Sequence, residues 1–146
     1  MRTGRCLCGA VRYSVAGPIR DVLVCHCREC RRWAGRAWAA TAARVEDFQV
    51  TEGRGLRWME SPASSASARR GFCRGCGGSL FWQAPARDTI SFSPGTLDDA
   101  TGLVLAAHIW LEQASPWERP ADGLPCFPRA YPATAPDLRW RGNDGS

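Results

Sequence analysis

The chain has no lysine; all 19 of its basic residues are arginine, set against 14 acidic residues for a formal net charge of +5. Without a lysine amine no Schiff base can form with a carbonyl substrate, so that covalent route is closed. Arginine without lysine, alongside abundant alanine, glycine and proline, reads as the codon bias of a GC-rich genome. Histidine is nearly absent too: His26 and His108 are the only two, and each reads as a structural residue rather than an acid. A basic stripe with aromatic residues between its charges is also missing, so nucleic acid is not an expected partner. The start, MRTGRCLCGAVRYSV, has too short an apolar run for a signal peptide and far too short a one for a membrane span. No membrane partner is expected, and the expected compartment is the cytoplasm.

What the chain does have is cysteine, eight residues in 146. Seven fall in three tight groups: Cys6 and Cys8 in CLC, Cys25, Cys27 and Cys30 in CHCREC, and Cys73 and Cys76 in CRGC. Under reducing conditions such thiols serve as metal ligands or catalysts rather than disulfides. Spacing points the same way, since cysteines one residue apart are poorly placed to pair with each other.

In a strand, residues two apart share a face, so Cys6 and Cys8 can offer two sulfurs to one ion while Leu7 faces away. Cys73 and Cys76 flank a two-residue turn, a common spacing of zinc ligand pairs. Glycine follows both pairs, as Gly9 and as Gly77-Gly78, which permits positive φ beside a metal. Together the two pairs make the four-thiolate tetrahedral set of a structural zinc site, tying the start of the chain to its middle.

CHCREC offers only three sulfurs, and three protein ligands leave one position open, which is how catalytic zinc sites are built. Two residues compete to close it. His26 lies between two ligands and in extended backbone would point away from them. Cys126, alone in LPCFP, is either a fourth ligand or a buried apolar residue. An open thiolate site would take another sulfur readily. Arg28, Arg31, Arg32 and Arg36 are either a solvated helix face or groups that hold the carboxylates of a ligand. A small thiol carrying carboxylates, such as glutathione, satisfies both features.

Short alternating or apolar runs at Val11 to Val15, Val22 to Cys25, Phe48 to Val50, Ser79 to Gln83, Thr89 to Ser93 and Leu103 to Trp110 read as strands. Gly17-Pro18, Glu52-Gly53, Ser61-Pro62, Pro94-Gly95 and Asp98 to Gly102 supply the turns. The fold class is therefore mainly β, with one or two helical turns from about Arg28 to Ala34. Ser61 to Ala68 reads as a loop. One domain is expected over residues 1–132, followed by a flexible tail over 133–146. Trp33, Trp82 and Trp110 are either pocket walls or core.

The blocks GRCLCGAVRYSV, CHCRECRRWAG, RRGFCRGCGGSLFW, GTLDD, HIWLEQASPW and DGLPCFP resemble, in order, those of the glutathione-dependent formaldehyde-activating and centromere protein V family. The resemblance runs from Gly4 to about Tyr131. It implies a zinc-stapled β-tent fold with two zinc ions per chain. One would be structural, on Cys6, Cys8, Cys73 and Cys76; the other would be catalytic, on Cys25, Cys27 and Cys30. It further implies a carbon–sulfur lyase acting on a small thiol and a small aldehyde, in the founding case glutathione and formaldehyde. The competing expectation is a non-catalytic zinc-binding interaction module, for which a fourth ligand on the second ion would be the sign.

Overall fold

The computed structural model describes residues 1–63 and 67–146. Residues 64–66, part of the loop expected over Ser61 to Ala68, lie outside the described residues. The strands are β1 (Arg2–Arg5), β2 (Arg12–Val15), β3 (Ile19–Arg20), β4 (Val22–Cys25), β5 (Trp38–Arg44), β6 (Phe48–Glu52), β7 (Leu56–Glu60), β8 (Arg69–Cys73), β9 (Ser79–Gln83), β10 (Thr89–Phe92), β11 (Leu105–Ile109) and β12 (Trp140–Arg141). The helix α1 spans Arg28–Ala34. Among the described residues no helix is long and apolar enough to cross a membrane.

Two sheets carry the fold. The smaller has the order β1-β2-β6, and the larger runs β11-β4-β5-β10-β9-β8-β7, with β3 joining β5 and β12 joining β3. Among the described strands every pairing is antiparallel except β11 with β4. The alternation at Val11, Tyr13 and Val15 buries all three side chains, as a two-residue period requires. Tyr13 stacks on Phe48 and meets Phe81 and Phe92 edge to face, so one aromatic cluster joins the two sheets. Cys6 and Cys73 belong to this same buried core, which places the first sulfur set at its rim.

A second, smaller core gathers Cys30, Trp38 and Ala40, with Cys25, Cys27, Trp33 and Trp82 packed against it. The strand that builds it, β5, has the sequence WAATAAR and lies between β4 and β10. Four consecutive residues of it, Ala40 to Ala43, are buried, so both faces are covered and no alternation marks it as a strand.

After Pro132, where the sequence predicts a flexible tail, the chain returns to the sheet. Trp140 and Arg141 pair with Arg20 and Ile19. Arg141 donates through Nε and Nη2 to the two carboxylate oxygens of buried Asp21, at 2.9 Å each. Asp21 also accepts from the Val104 backbone, so one buried carboxylate ties three separated segments together. A two-residue strand carries no readable period, and what positions it is an ion pair across 120 residues of sequence.

Replacing Asp21 with Asn removes the charge that Arg141 faces. Hydrogen exchange at residues 139–142 is expected to accelerate and the melting temperature to fall, while the spectrum of metal bound at the four-sulfur set stays the same. Unchanged exchange over 139–142 would show that the pair does not hold this segment.

Candidate metal centres

The first centre joins two turns. The CLC segment lies in a turn after β1 rather than in a strand, because the Gly9 N–H bonds back to the Cys6 carbonyl and Gly9 takes φ of 76°. The expectation of a strand face is therefore corrected, although Leu7 does point outward, at 92% exposure. The second turn links β8 to β9: Gly77, at φ 75°, donates to the Cys73 carbonyl and Cys73 to that of Gly78. A side chain at either glycine would be strained in that left-handed conformation, so both turns need glycine.

Sulfur atoms of Cys6, Cys8, Cys73 and Cys76 all lie within 4.8 Å of one another. Tetrahedral zinc with Zn–S bonds of about 2.3 Å separates its sulfurs by about 3.8 Å. The observed separations of 3.7 Å for Cys6 to Cys8 and 3.6 Å for Cys8 to Cys73 match that edge, and every cysteine is free of disulfide. Backbone N–H groups of Val11 and Gly75 donate to Cys6 and Cys73, each at 3.3 Å. Hydrogen bonding from the Cys8 backbone is the largest of several effects that lower the Cys76 thiol to about 6. The donor set and its spacing fit zinc, and four thiolates would close the coordination shell.

The second centre is local in sequence. Cys25 ends β4, Cys27 is the N-cap of α1 and Cys30 lies in its first turn, with the Cys30 N–H donating to Cys27 Sγ at 3.4 Å. The helix then stops at Gly35, whose φ of 81° lets its N–H return to the Arg31 carbonyl. Again the three sulfurs lie within 4.8 Å of one another. Cys27 is pulled below the ordinary thiol range, first by the Cys25 thiol and then by that of Cys30. Cys25 moves the other way, because it hydrogen-bonds to those two sulfurs and is largely desolvated. Three sulfurs competing for protons in a small volume are what a divalent cation relieves, and the set fits zinc.

Neither rival ligand joins this set. His26 is buried, and its Nε2 lies 3.0 Å from Nδ1 of His108, whose Nε2 lies 2.7 Å from Asp122. Asp122 is held below the usual carboxylate range chiefly by that bond, so it accepts and His108 Nε2–H donates. His108 Nδ1 then accepts from His26 Nε2–H. His26 is thus a strut, its backbone N–H also bonded to the Ile109 carbonyl, that fixes the segment between β4 and α1. Cys126 is exposed, its Sγ donates to the Leu124 carbonyl, and among the described residues it joins neither sulfur set nor the buried core.

The arginines expected near the site are mostly occupied elsewhere or face solvent. Arg31 donates to Ser115, Arg36 pairs with Glu118, and Arg28 and Arg32 are exposed. The arginine that does reach a sulfur is Arg70, with Nη1 and Nη2 at 3.6 and 3.7 Å from Cys30 Sγ. Sequence reasoning missed it, because it sits 40 residues away in the strand β8. Trp33 and Trp82 pack against the cluster of Cys30 and Trp38, and the buried Trp38 Nε1 has no partner among the described residues. Trp110 follows β11 in a left-handed conformation. A cavity of about 300 Å³ opens beside His26, His108, Arg36 and Arg119, but no cysteine lines it.

Replacing Cys73 with Ser is expected to lower the metal content by one ion per chain and to reduce the melting temperature, because a closed thiolate site contributes folding energy directly. Replacing Cys126 with Ser should alter neither. Elemental analysis and thermal melting check both, and loss of metal from the Cys126 variant would contradict this assignment.

Comparison with known proteins agrees with the geometry. The family model described as glutathione-dependent formaldehyde-activating enzyme matches residues 1–113. An uncharacterised lyase of Schizosaccharomyces pombe is 30% identical over 79 residues, covering 54% of this chain and 55% of that protein, so the chain spans about half the length of this curated relative. The crystal structure of a Rhodobacter sphaeroides protein shares the fold, with a TM-score of 0.54 and 23% identity over 86% of this chain and 98% of that one. Since the matched residues hold all seven clustered cysteines and well over half the chain, the chain belongs to the glutathione-dependent formaldehyde-activating enzyme family.

Proposed function

We propose that the chain is a zinc-dependent carbon–sulfur lyase that joins a small thiol such as glutathione to a small aldehyde such as formaldehyde, and runs the reverse cleavage. It would work with two zinc ions in a reducing compartment, the cytoplasm. The observation that carries this reading is the three-sulfur set of Cys25, Cys27 and Cys30, which no fourth side chain joins among the described residues. Family membership and the lyase-named relative support the reaction class.

Zinc held by these sulfurs supplies an open position and lowers the pKa of a thiol placed there. Cys25 and Cys27 are half-buried and Cys30 is buried, so the set keeps partial access to solvent. Trp33, Trp38 and Trp82 form an apolar wall behind it, which strengthens electrostatic interactions at the reacting sulfur. In the forward direction a carbon–sulfur bond forms as the sulfur electron pair adds to the aldehyde carbon. The carbonyl π pair moves to oxygen, and the thiol proton ends there as a hydroxyl. No oxidant or reductant is needed. The buried Trp38 indole N–H has no partner among the described residues and is the right donor type for an oxygen gaining charge.

The test is cobalt-substituted protein titrated with glutathione, together with exchange spectroscopy of carbon-13 formaldehyde and glutathione. A change in the cobalt bands and accelerated exchange are expected, both lost in Cys27→Ser while the spectrum of the four-sulfur centre persists. No response to any thiol and no acceleration would move the assignment to a non-catalytic module.

A further inference from the structure

The buried Arg70 has an unusual electrostatic situation. The residue is 3% exposed, yet among the described residues it makes no ion pair with a carboxylate. Nε donates to Ser61 Oγ at 2.9 Å, the Trp33 ring lies 5.0 Å from its Cζ, and both terminal nitrogens face Cys30 Sγ. Ser61 in turn donates to Glu29 at 2.9 Å, so the nearest carboxylate is reached only through a hydroxyl. Burying a cation without a counter-charge is costly, and among the described residues the group that Arg70 touches and that would carry negative charge on holding a metal is the Cys30 sulfur.

The two centres differ in this respect. Sulfurs of the four-cysteine set receive hydrogen bonds from the backbone N–H groups of Val11 and Gly75, which carry no net charge. The three-cysteine set receives a full positive charge as well as the Cys30 N–H. A divalent ion with three thiolates carries a net charge of about −1, and a buried guanidinium beside it brings the local sum to about zero. A neutral fourth ligand would leave that sum at zero; an anionic one would take it to about −1, instead of about −2 without the arginine.

We infer that Arg70 is a specificity-determining residue, which makes the open position of the Cys25, Cys27 and Cys30 centre accept an anionic ligand, a thiolate, in preference to a neutral one. This rests on the reading of that centre as an open metal site. Arg70 acts through Cys30, and Glu29 with Ser61 orients its guanidinium. The same contact also explains why a charged residue occupies an inward position of β8, where the alternate residue Arg69 faces solvent.

Cobalt-substituted protein carrying Arg70→Met or Arg70→Lys, titrated separately with azide, imidazole and 2-mercaptoethanol, tests this. None of the three probes carries a carboxylate for an arginine to clamp. Arg70→Met is expected to weaken azide and mercaptoethanol binding on the order of 10- to 100-fold, the scale of one unit charge at close range in a protein interior, and to leave imidazole within about twofold. Arg70→Lys should recover most of the loss because it restores the charge. Bands of the four-sulfur centre, unchanged in all variants, establish that the fold is intact. Equal losses for azide and imidazole, or no loss for either, would overturn the role of Arg70. Wild-type protein that binds azide but no thiol would remove the thiol reading while leaving the charge rule standing. Wild-type protein that binds none of the probes would overturn both.

Discussion

The structure depends on the pairing of two glycine-bearing turns across one set of four sulfurs. Cys6 and Cys8 come from the turn after β1, Cys73 and Cys76 from the turn between β8 and β9, and the sulfur spacing is that of a tetrahedral thiolate centre. The larger of the two cores described is built on Tyr13, Phe81 and Phe92, with Phe48 packed against them. The sulfur set closes that core at its rim. It ties the small sheet, to which β1 belongs, to the large sheet, to which β8 and β9 belong. With that link made, β8 is fixed in place, and so is the arginine that it delivers to the second centre.

The second centre is held from three directions. Its own backbone positions Cys27 and Cys30 through the capping bond at the start of α1. On one side His26, His108 and Asp122 form a chain of hydrogen bonds that pins the segment between Cys25 and Cys27 to β11 and the loop beyond it. On another, Arg70 presses two N–H groups toward Cys30 while Ser61 and Glu29 steady it. The ligands are therefore preorganised, and the charge that three thiolates concentrate is partly offset before any ligand arrives. Under the proposed function, the four-sulfur set would serve stability and the three-sulfur set beside a buried arginine would serve chemistry.

The parts of this arrangement that were legible in the sequence are those encoded locally. Helix α1 ends where expected because Gly35 follows Ala34, and β4 and β9 match the runs Val22 to Cys25 and Ser79 to Gln83. The cysteine groups that the fold brings together were legible because each is a few residues long. What was hidden is long-range or two-sided. The strand β5 is buried on both faces and alanine-rich, so it has no period to read. The strand β8 begins with two arginines, and nothing nearby says that the second is buried against a sulfur 40 residues away. The partnership of His26 with His108 spans 82 residues, and the CLC turn looked like a strand because glycine's left-handed turn leaves no mark on side-chain pattern.

X-ray absorption at the zinc edge of thiol-free protein tests the account most directly. Two zinc ions per chain with an average first shell of three to four sulfurs, and a light oxygen or nitrogen contribution that disappears when a thiol is added, are expected from one closed and one open centre. A shell of four sulfurs around both ions before any thiol is added, or a single zinc per chain, would contradict it.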